Sequence, residues 1–468
     1  MPKEAVFNGN ILLVGFGSIG QAVLPLLLRH FALDPARVQV VTADGTGANN
    51  ARRHGVAVTN TCLDPGNYRS ELAARLRPGD FVVNLAAGVS SYALIERCQQ
   101  LGALYLDTGL APWAGAAEET SLPPGERTRY ALREQVLSLR RDFKGGPTAI
   151  VGHGAAPGLV SHLVKQALVD LAAALLPREP RPCDRPGWAR LASRLKVKVI
   201  QIAERDTQQA LPRKKTGEFV NTWSVDGFVG DACQPAELGW GTHEHEFPHD
   251  ARAHPYGCKA SIYLDRPGAA IQVRSWGPGS GPYHGYLFGH GESISIADYL
   301  TVPHQEGGAY RPTVHYAYHP CDDALLSLHE LAERNWECQP QHRVVQDEIE
   351  SGSEELGVLL MGHARGAYWY GARLAIEEAR GMAPHSNATA LQAAASVVAA
   401  MRWALREPHR GIVEPEDLPY DEILAFCRPY LGQVGGRYTP WSPLQGRHRL
   451  YSEDVDSSDV WQFKNFRV

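Results

Sequence analysis

No two of the eight cysteines (62, 98, 183, 233, 258, 321, 338 and 427) stand in a CxxC spacing. That excludes a zinc ribbon or a disulfide framework as the organising element, and scattered cysteines in a large chain read as reduced thiols. None of them stands in a local pattern that implies activation. HExxH, GxSxG and a Walker loop are absent as well. There is no basic excess, since 46 Lys and Arg face 51 Asp and Glu for a net charge of −5. A nucleic-acid partner would need a basic stripe to neutralise phosphates, so none is expected, whereas a cationic substrate is compatible. The apolar run ILLVGF near the N-terminus is too short to cross a bilayer, and no leader pattern precedes it. The expectation is a cytoplasmic protein without a membrane partner.

What is present is an ordinary globular composition, 44% hydrophobic and 21% charged, over 468 residues. That length suits two or three domains. The 46 glycines and 32 prolines indicate many turns rather than disorder, because the apolar segments between them stay periodic. Strand patterns at Ile11–Phe16, Val38–Thr42, Phe81–Leu85, Leu104–Asp107 and Thr148–Val151 alternate with helical ones near Ile19–His30, Tyr68–Leu76, Ser91–Leu101 and Arg127–Arg141. Such alternation predicts a doubly wound parallel sheet with helices on both faces. Pro25 falls inside the first helix, where it should kink it.

After a helix at Leu159–Leu175 and a Pro-rich connection, RPCDRPGW, the pattern changes. Strand-like runs at Leu195–Ala203, Glu218–Trp223, Ala260–Tyr263, Ile271–Trp276 and Tyr286–Phe288 lack long helices between them, which predicts a second, mixed or mostly antiparallel sheet. The last part is more helical, notably Ala388–Arg406, while His304–Arg311 and the tail after Gly432 read as loops. The fold class is therefore α/β. The division expected is a doubly wound, Rossmann-type domain over 1–155, an α+β domain over 156–385, and a helical C-terminal region over 386–468.

Gly15-Phe16-Gly17-Ser18-Ile19-Gly20 follows the first strand and opens the first helix. In a dinucleotide fold Gly15 permits the tight turn, Gly17 lets the pyrophosphate approach the backbone, and Gly20 allows close helix–strand packing. Free N–H groups at the helix start, Ser18 and Ile19 included, then face the phosphates. The second strand ends at Thr42, with Asp44 two residues on, and either can take the ribose hydroxyl expected for NAD. Arg52 and Arg53 could meet a 2′-phosphate, although a solvated helix face is their plainer role.

Further along, NTWSVDGFVGD (Asn221–Asp231) sets Trp223 among Asp226 and Asp231. Glu204 ends an earlier strand and His290 follows a later one. A tryptophan face attracts a cation, and nearby carboxylates neutralise ammonium groups and can move protons. Core packing for Trp223, an ion pair for Glu204 with Arg205, and a hydrogen-bonded loop histidine for His290 are the structural alternatives. A histidine-rich stretch, His243-Glu244-His245-Glu246 with His249 and His254, lacks residues elsewhere to complete a zinc site, so no metal is expected.

VGFGSIGQAVLPLL, IAERDTQ, VNTWSVDGF, QPAELGWGT, GESISIADYLTV, TVHYAYHPCDDALLSLHE, AYWYGARLAIEE and DVWQFKN together resemble bacterial homospermidine synthases, which share their fold with saccharopine dehydrogenase. The resemblance runs from residue 14 to residue 465. It implies a redox-neutral cycle in which NAD oxidises putrescine to an imine. A second diamine displaces ammonia, and the new Schiff base is reduced to homospermidine. In that reading Trp223 stabilises the cationic intermediate and Glu204 binds an amine. Asp231 binds the far end of the substrate or handles protons, and His290 aids proton transfer. A homodimer is also implied. The chain departs from the family pattern at Ala111, where an acid precedes Pro-Trp, and at Ala156, where an amide precedes Pro-Gly. It departs too at Asp231 for Glu, Gly291 for Asn, and Thr42 for the second-strand acid. His153 stands close enough to the altered turn to replace a lost contact. Two other readings remain open, a diverged NAD(P)-dependent imine reductase or amine dehydrogenase, and a nucleotide-binding protein without catalysis.

Overall fold

The computed structural model describes residues 5–116, 121–303 and 309–468; residues 304–308, within the expected loop His304–Arg311, lie outside them. Apolar β-branched runs form a parallel sheet near the N-terminus: β1 (Ile11–Val14), β2 (Val38–Thr42), β3 (Ala57–Asn60), β4 (Phe81–Asn84), β5 (Leu104–Asp107) and β6 (Ala149–Ile150). Every side chain of β1, β4 and β5 is buried, as continuous apolar strands covered on both faces require. The order is β3–β2–β1–β4–β5–β6, with Ile412–Val413 added in parallel beyond β6. The order reverses at β1, so the crevice outside the carboxyl ends of β1 and β4 is the place where such sheets bind ligands.

Helix α1 (Ser18–His30) remains continuous through Pro25. It packs against the long helix Ala388–Arg406. That helix starts at the Asn387 cap, whose side chain accepts from Ala390 N at 2.8 Å. It is apolar enough to cross a bilayer by length and composition, yet 83% of its most apolar window is buried inside the protein. It is a core helix.

The second sheet has ten strands among the described residues. Its strands are β7 (Val199–Asp206), β8 (Pro235–Gly239), β9 (Ala251–Ala253), β10 (Ser261–Pro267), β11 (Gln272–Gly277), β12 (Gly281–Tyr286), β13 (Thr313–His319), β14 (Ser353–His363), β15 (Gly366–Ala375) and β16 (Gln433–Thr439). The path runs β9–β10–β8–β13–β7–β14–β15–β16, with β12 also pairing to β13 and β11 to β12. Only β7 and β13 run parallel; the other ladders are antiparallel. The register sets Glu204 opposite Tyr318 on one side and Leu356 on the other, and Asp206 opposite Glu354. Because side chains alternate, Ile202, Glu204, Asp206, Tyr316, Tyr318 and Glu354 share one face. The apolar members of that face join the core that reaches α1 and the long helix.

Three expectations change in detail. RPCDRPGW is not a plain connection, because Asp184 accepts from Gly187 N at 2.8 Å and caps a helix over Arg185–Arg194. That helix uses up Leu195, so β7 begins at Val199. Glu218–Asn221 does not enter the large sheet but pairs in parallel with Gln341–Val344 as a separate ribbon. The segment after Asn221 is a helix, α3 (Val225–Cys233), capped by Ser224. The tail after Gly432 supplies β16 and a short helical turn, Phe463–Phe466.

Candidate active site

The loops after β4, β5 and β6 face the polar side of β7 and β13 across a cavity of about 1030 Å³. Ile19, Glu204, Trp223, Asp231 and His290 all line it. The structure thus brings the anticipated catalytic residues together beside the start of α1. Each reaches the cavity from a different element. Glu204 comes from β7, Trp223 from the turn before α3, Asp231 from α3, and His290 from the turn before α4 (Gly291–Tyr299).

At the dinucleotide loop Gly15 has φ +83°, and a Cβ there would stand 2.9 Å from Ala86 N. A Cβ on Gly20 would come within 3.1 Å of the Phe16 ring and 3.2 Å of Gly15 O. Gly17 differs, since a Cβ would meet nothing within 4 Å. It caps α1 with no side-chain hydrogen bond, and Ser18 behind it is buried. An open cradle at Gly17 in front of unsatisfied helix N–H groups fits a pyrophosphate. Thr42 is buried at the end of β2, and Asp44 is exposed in the next turn, accepting from Thr46 N at 3.0 Å.

Trp223 is half-buried. Its indole N–H donates to Tyr318 Oη at 3.3 Å and its ring packs edge-on to Phe228 at 5.6 Å, which leaves an aromatic face on the cavity. Glu204 is buried and accepts a hydrogen bond from the Tyr316 hydroxyl. Burial outweighs that bond and the charge of His290, and raises its carboxyl to about 7. Beside it Asp206 accepts from the Thr222 hydroxyl and Gln208 N, each at 2.8 Å, and burial raises it to about 6. Glu354, which accepts from Thr389 Oγ1 at 2.6 Å, is pushed well up by burial and by Asp206 and Glu204. Burial thus raises all three neighbouring carboxyls above their ordinary values.

His290 behaves oppositely. Burial pulls its imidazole down, but Glu292 and Asp231 outweigh burial and hold it protonated, up to about 10. Both Glu292 oxygens lie within 3.3 Å of Nδ1, and Asp231 Oδ2 lies 3.7 Å from Nε2. Asp231 also pairs with Arg129, which in turn donates to Leu110 O. Although burial raises the Asp231 carboxyl, Arg129 and His290 bring it below its ordinary value.

Sequence reasoning missed Arg129, Tyr316 and Glu292. Only Glu292, two residues after His290, carried a readable signal, because buried histidines take a nearby carboxylate. Ala111 and Ala156 line the cavity and make it apolar there. His153 does not replace the missing contacts. Its ring is fully buried away from the cavity, with Nε2 2.9 Å from His162 Nε2 and Nδ1 3.1 Å from Ser396 Oγ.

Residues 11–150 match the family described as Saccharopine dehydrogenase NADP binding domain, and residues 154–439 match Saccharopine dehydrogenase C-terminal domain. The homospermidine synthase of Blastochloris viridis is 50% identical over 98% of both chains. That of Mesorhizobium japonicum is 45% identical over 100% of this chain and 98% of its own. The chain belongs to the homospermidine synthase family. The crystal structure of the Legionella pneumophila homospermidine synthase in complex with NAD superposes with a TM-score of 0.93 at 45% identity, covering 100% of this chain and 99% of that one. Apo saccharopine dehydrogenase from Saccharomyces cerevisiae, 12% identical with a TM-score of 0.51 over 92% of this chain and 99% of its own, shares the fold.

Proposed function

We propose that the chain joins two molecules of putrescine into homospermidine with release of ammonia. The observation that carries this is the meeting of an aromatic face, three buried acids and a protonated histidine beside an open dinucleotide cradle. Full-length relatives named for that activity support it. NAD would be held by the Gly15–Gly20 loop and the α1 N-terminus, with Thr42 and Asp44 as candidate partners for its ribose, and would supply hydride acceptance and return.

The residues divide the remaining work. Trp223 presents its ring to the flat cationic imine, an attraction worth ~2 kcal/mol where water is excluded. Glu204, with a carboxyl near neutrality, takes a proton from a substrate ammonium and gives one back within the same cycle. His290, held charged by Glu292 and Asp231, donates toward the leaving amine. Arg129 holds Asp231 in place on the opposite wall.

Purified protein given putrescine and NAD is expected to yield homospermidine by mass spectrometry and equimolar ammonia, with no net change at 340 nm. Accumulating reduced nicotinamide, or no product from NAD-loaded protein, would overturn the reading. Trp223→Ala should lower kcat/KM by about thirty-fold, the equivalent of ~2 kcal/mol. Trp223→Phe should recover part of that loss. An unchanged kcat/KM in Trp223→Ala would remove the ring from the mechanism.

The cradle has its own test. Gly17→Ala should leave the melt of the NAD-free protein within about 1 kcal/mol, since the added Cβ meets nothing within 4 Å and only the cap preference is lost. It should weaken NAD by roughly ten- to a hundredfold, the equivalent of one charge-assisted hydrogen bond. Gly15→Ala should instead destabilise the fold itself by about 1–3 kcal/mol, because of its φ and the backbone of Ala86. Calorimetry of NAD binding beside thermal melts separates the two.

A further inference from the structure

Away from the reacting residues, the cavity mouth holds a second constellation. Cys338 Sγ lies 3.2 Å from His342 Nε2, and His342 Nδ1 lies 3.2 Å from Asp226 Oδ1. All three residues line the cavity. They come from separate elements: Asp226 from the first turn of α3, His342 from the strand Gln341–Val344, and Cys338 from the loop before that strand. The loop is held firmly. Asn335 and Trp336 adopt left-handed φ values of 54° and 69°, and the buried Gln339 donates to Ser327 O at 2.8 Å.

Both nitrogens of His342 have polar partners. Nδ1 meets the Asp226 carboxylate, and Nε2 meets Gln339 O at 3.1 Å as well as the sulfur. A thiol within hydrogen-bond reach of an imidazole that a carboxylate orients can pass its proton to the ring and attack as the thiolate, the nucleophilic form. The carboxylate facing this ring is that of Asp226, and the neighbouring Glu337 is exposed and also lines the cavity. The site is open to solvent, with the Asp226 side chain 78% exposed and that of His342 41%. It is not a metal cluster, because among the described residues no group of three or more His, Cys, Asp or Glu is placed to hold an ion.

We propose that Cys338 is an activated thiol which exchanges with low-molecular-weight disulfides and, once modified, obstructs the cavity. In the exchange the Cys338 sulfur attacks one sulfur of the disulfide, a new S–S bond forms, and the old one breaks. The departing thiolate takes the proton that Cys338 gave to His342. Cys338 is oxidised, and the small disulfide is reduced to one free thiol and one protein-bound half. A tripeptide on the wall beside Trp336 and Asp226 narrows the path to Trp223. The obstruction of turnover rests on the activity proposed above; the reactivity of the thiol does not.

The test uses the NAD-loaded protein. With iodoacetamide at pH 7, peptide mass spectrometry should show Cys338 alkylated at least about tenfold faster than the exposed Cys62 and Cys183. His342→Gln should erase that lead and move the pH midpoint of the Cys338 labelling curve upward. Equal rates in the unmodified sequence would overturn the activated thiol. Oxidised glutathione should then add one glutathione at Cys338, slow homospermidine formation and slow NAD exchange, with dithiothreitol reversing all three. Cys338→Ser should remain active and indifferent to the reagent. An adduct on Cys338 that leaves NAD exchange and turnover unaltered would overturn the obstruction. Were no homospermidine formed at all, labelling, adduct mass and NAD exchange would still decide the proposal.

Discussion

Glu204→Gln is expected to lower kcat/KM by about 10²–10⁴-fold, the range lost when a positioned proton-transfer group is removed. Glutamine fills the same volume and still accepts from the Tyr316 hydroxyl, so the change removes charge and proton exchange rather than packing. The unmodified enzyme should show an acidic limb with a midpoint near pH 7, because Glu204 is protonated below about 7 and cannot then take a proton from the amine. In Glu204→Gln that limb should vanish from the residual rate. Ammonia release followed from pH 5.5 to 9 reads both effects, and a loss under tenfold with the limb retained would assign the limb elsewhere. The same acids set a sign for stability. Glu204, Asp206 and Glu354 bind protons more tightly folded than unfolded, so their stabilising contribution is lost as pH rises through their folded values, about 6 for Asp206 and 7 for Glu204. Asp231 and Asp298 lie below their ordinary values and contribute the opposite way, losing stabilisation as pH falls through their folded values.

The second large effect is structural. Arg133 on α2 (Arg129–Ser138) is 3% exposed and holds both oxygens of Glu414, at 2.6 and 2.9 Å, together with Asp298 at 2.8 Å. It ties the first sheet's helices to α4 and to the segment after Ile412–Val413. Arg133→Met keeps an unbranched apolar stem but removes the guanidinium, leaving Glu414 without its bidentate partner. Breaking one side of a buried pair costs about 3–5 kcal/mol, so the urea midpoint should fall by that equivalent. Arg140, 3.7 Å from the same carboxylate and 37% exposed, is the control; Arg140→Ala should change stability by under ~1 kcal/mol. Similar shifts in both variants would mean that burial is not what gives Arg133 its effect.

Elements with strong periodicity were readable. Val38–Thr42, Ser91–Leu101, Leu159–Leu175 and Ala388–Arg406 appear with the bounds that their apolar spacing predicts. The strand Ala57–Asn60 was not, because it is a polar edge strand with little buried to mark it. Strands β14 and β15 carry side chains buried on both faces, so they show no alternation. Trp223, Glu204, Asp231 and His290, anticipated through long motifs, line one cavity. Arg129 was not anticipated, since its partner lies 102 positions away and only the fold makes them neighbours. The Cys338–His342–Asp226 arrangement was hidden for the same reason, as its carboxylate comes from another element.

One edge of the first sheet is the strand Ile412–Val413, joined to β6 by pairing in parallel with Ala149–Ile150. During synthesis β6 therefore emerges with one edge open, and the strand that covers it is made only after the entire second sheet except β16. At ribosomal speeds of about 5–20 residues per second that interval is on the order of ten seconds or more. Over that time the nascent chain carries an uncapped β edge and the apolar flank of α1 that the helix Ala388–Arg406 later covers. Both halves of this protein thus reach their final form only near the end of translation.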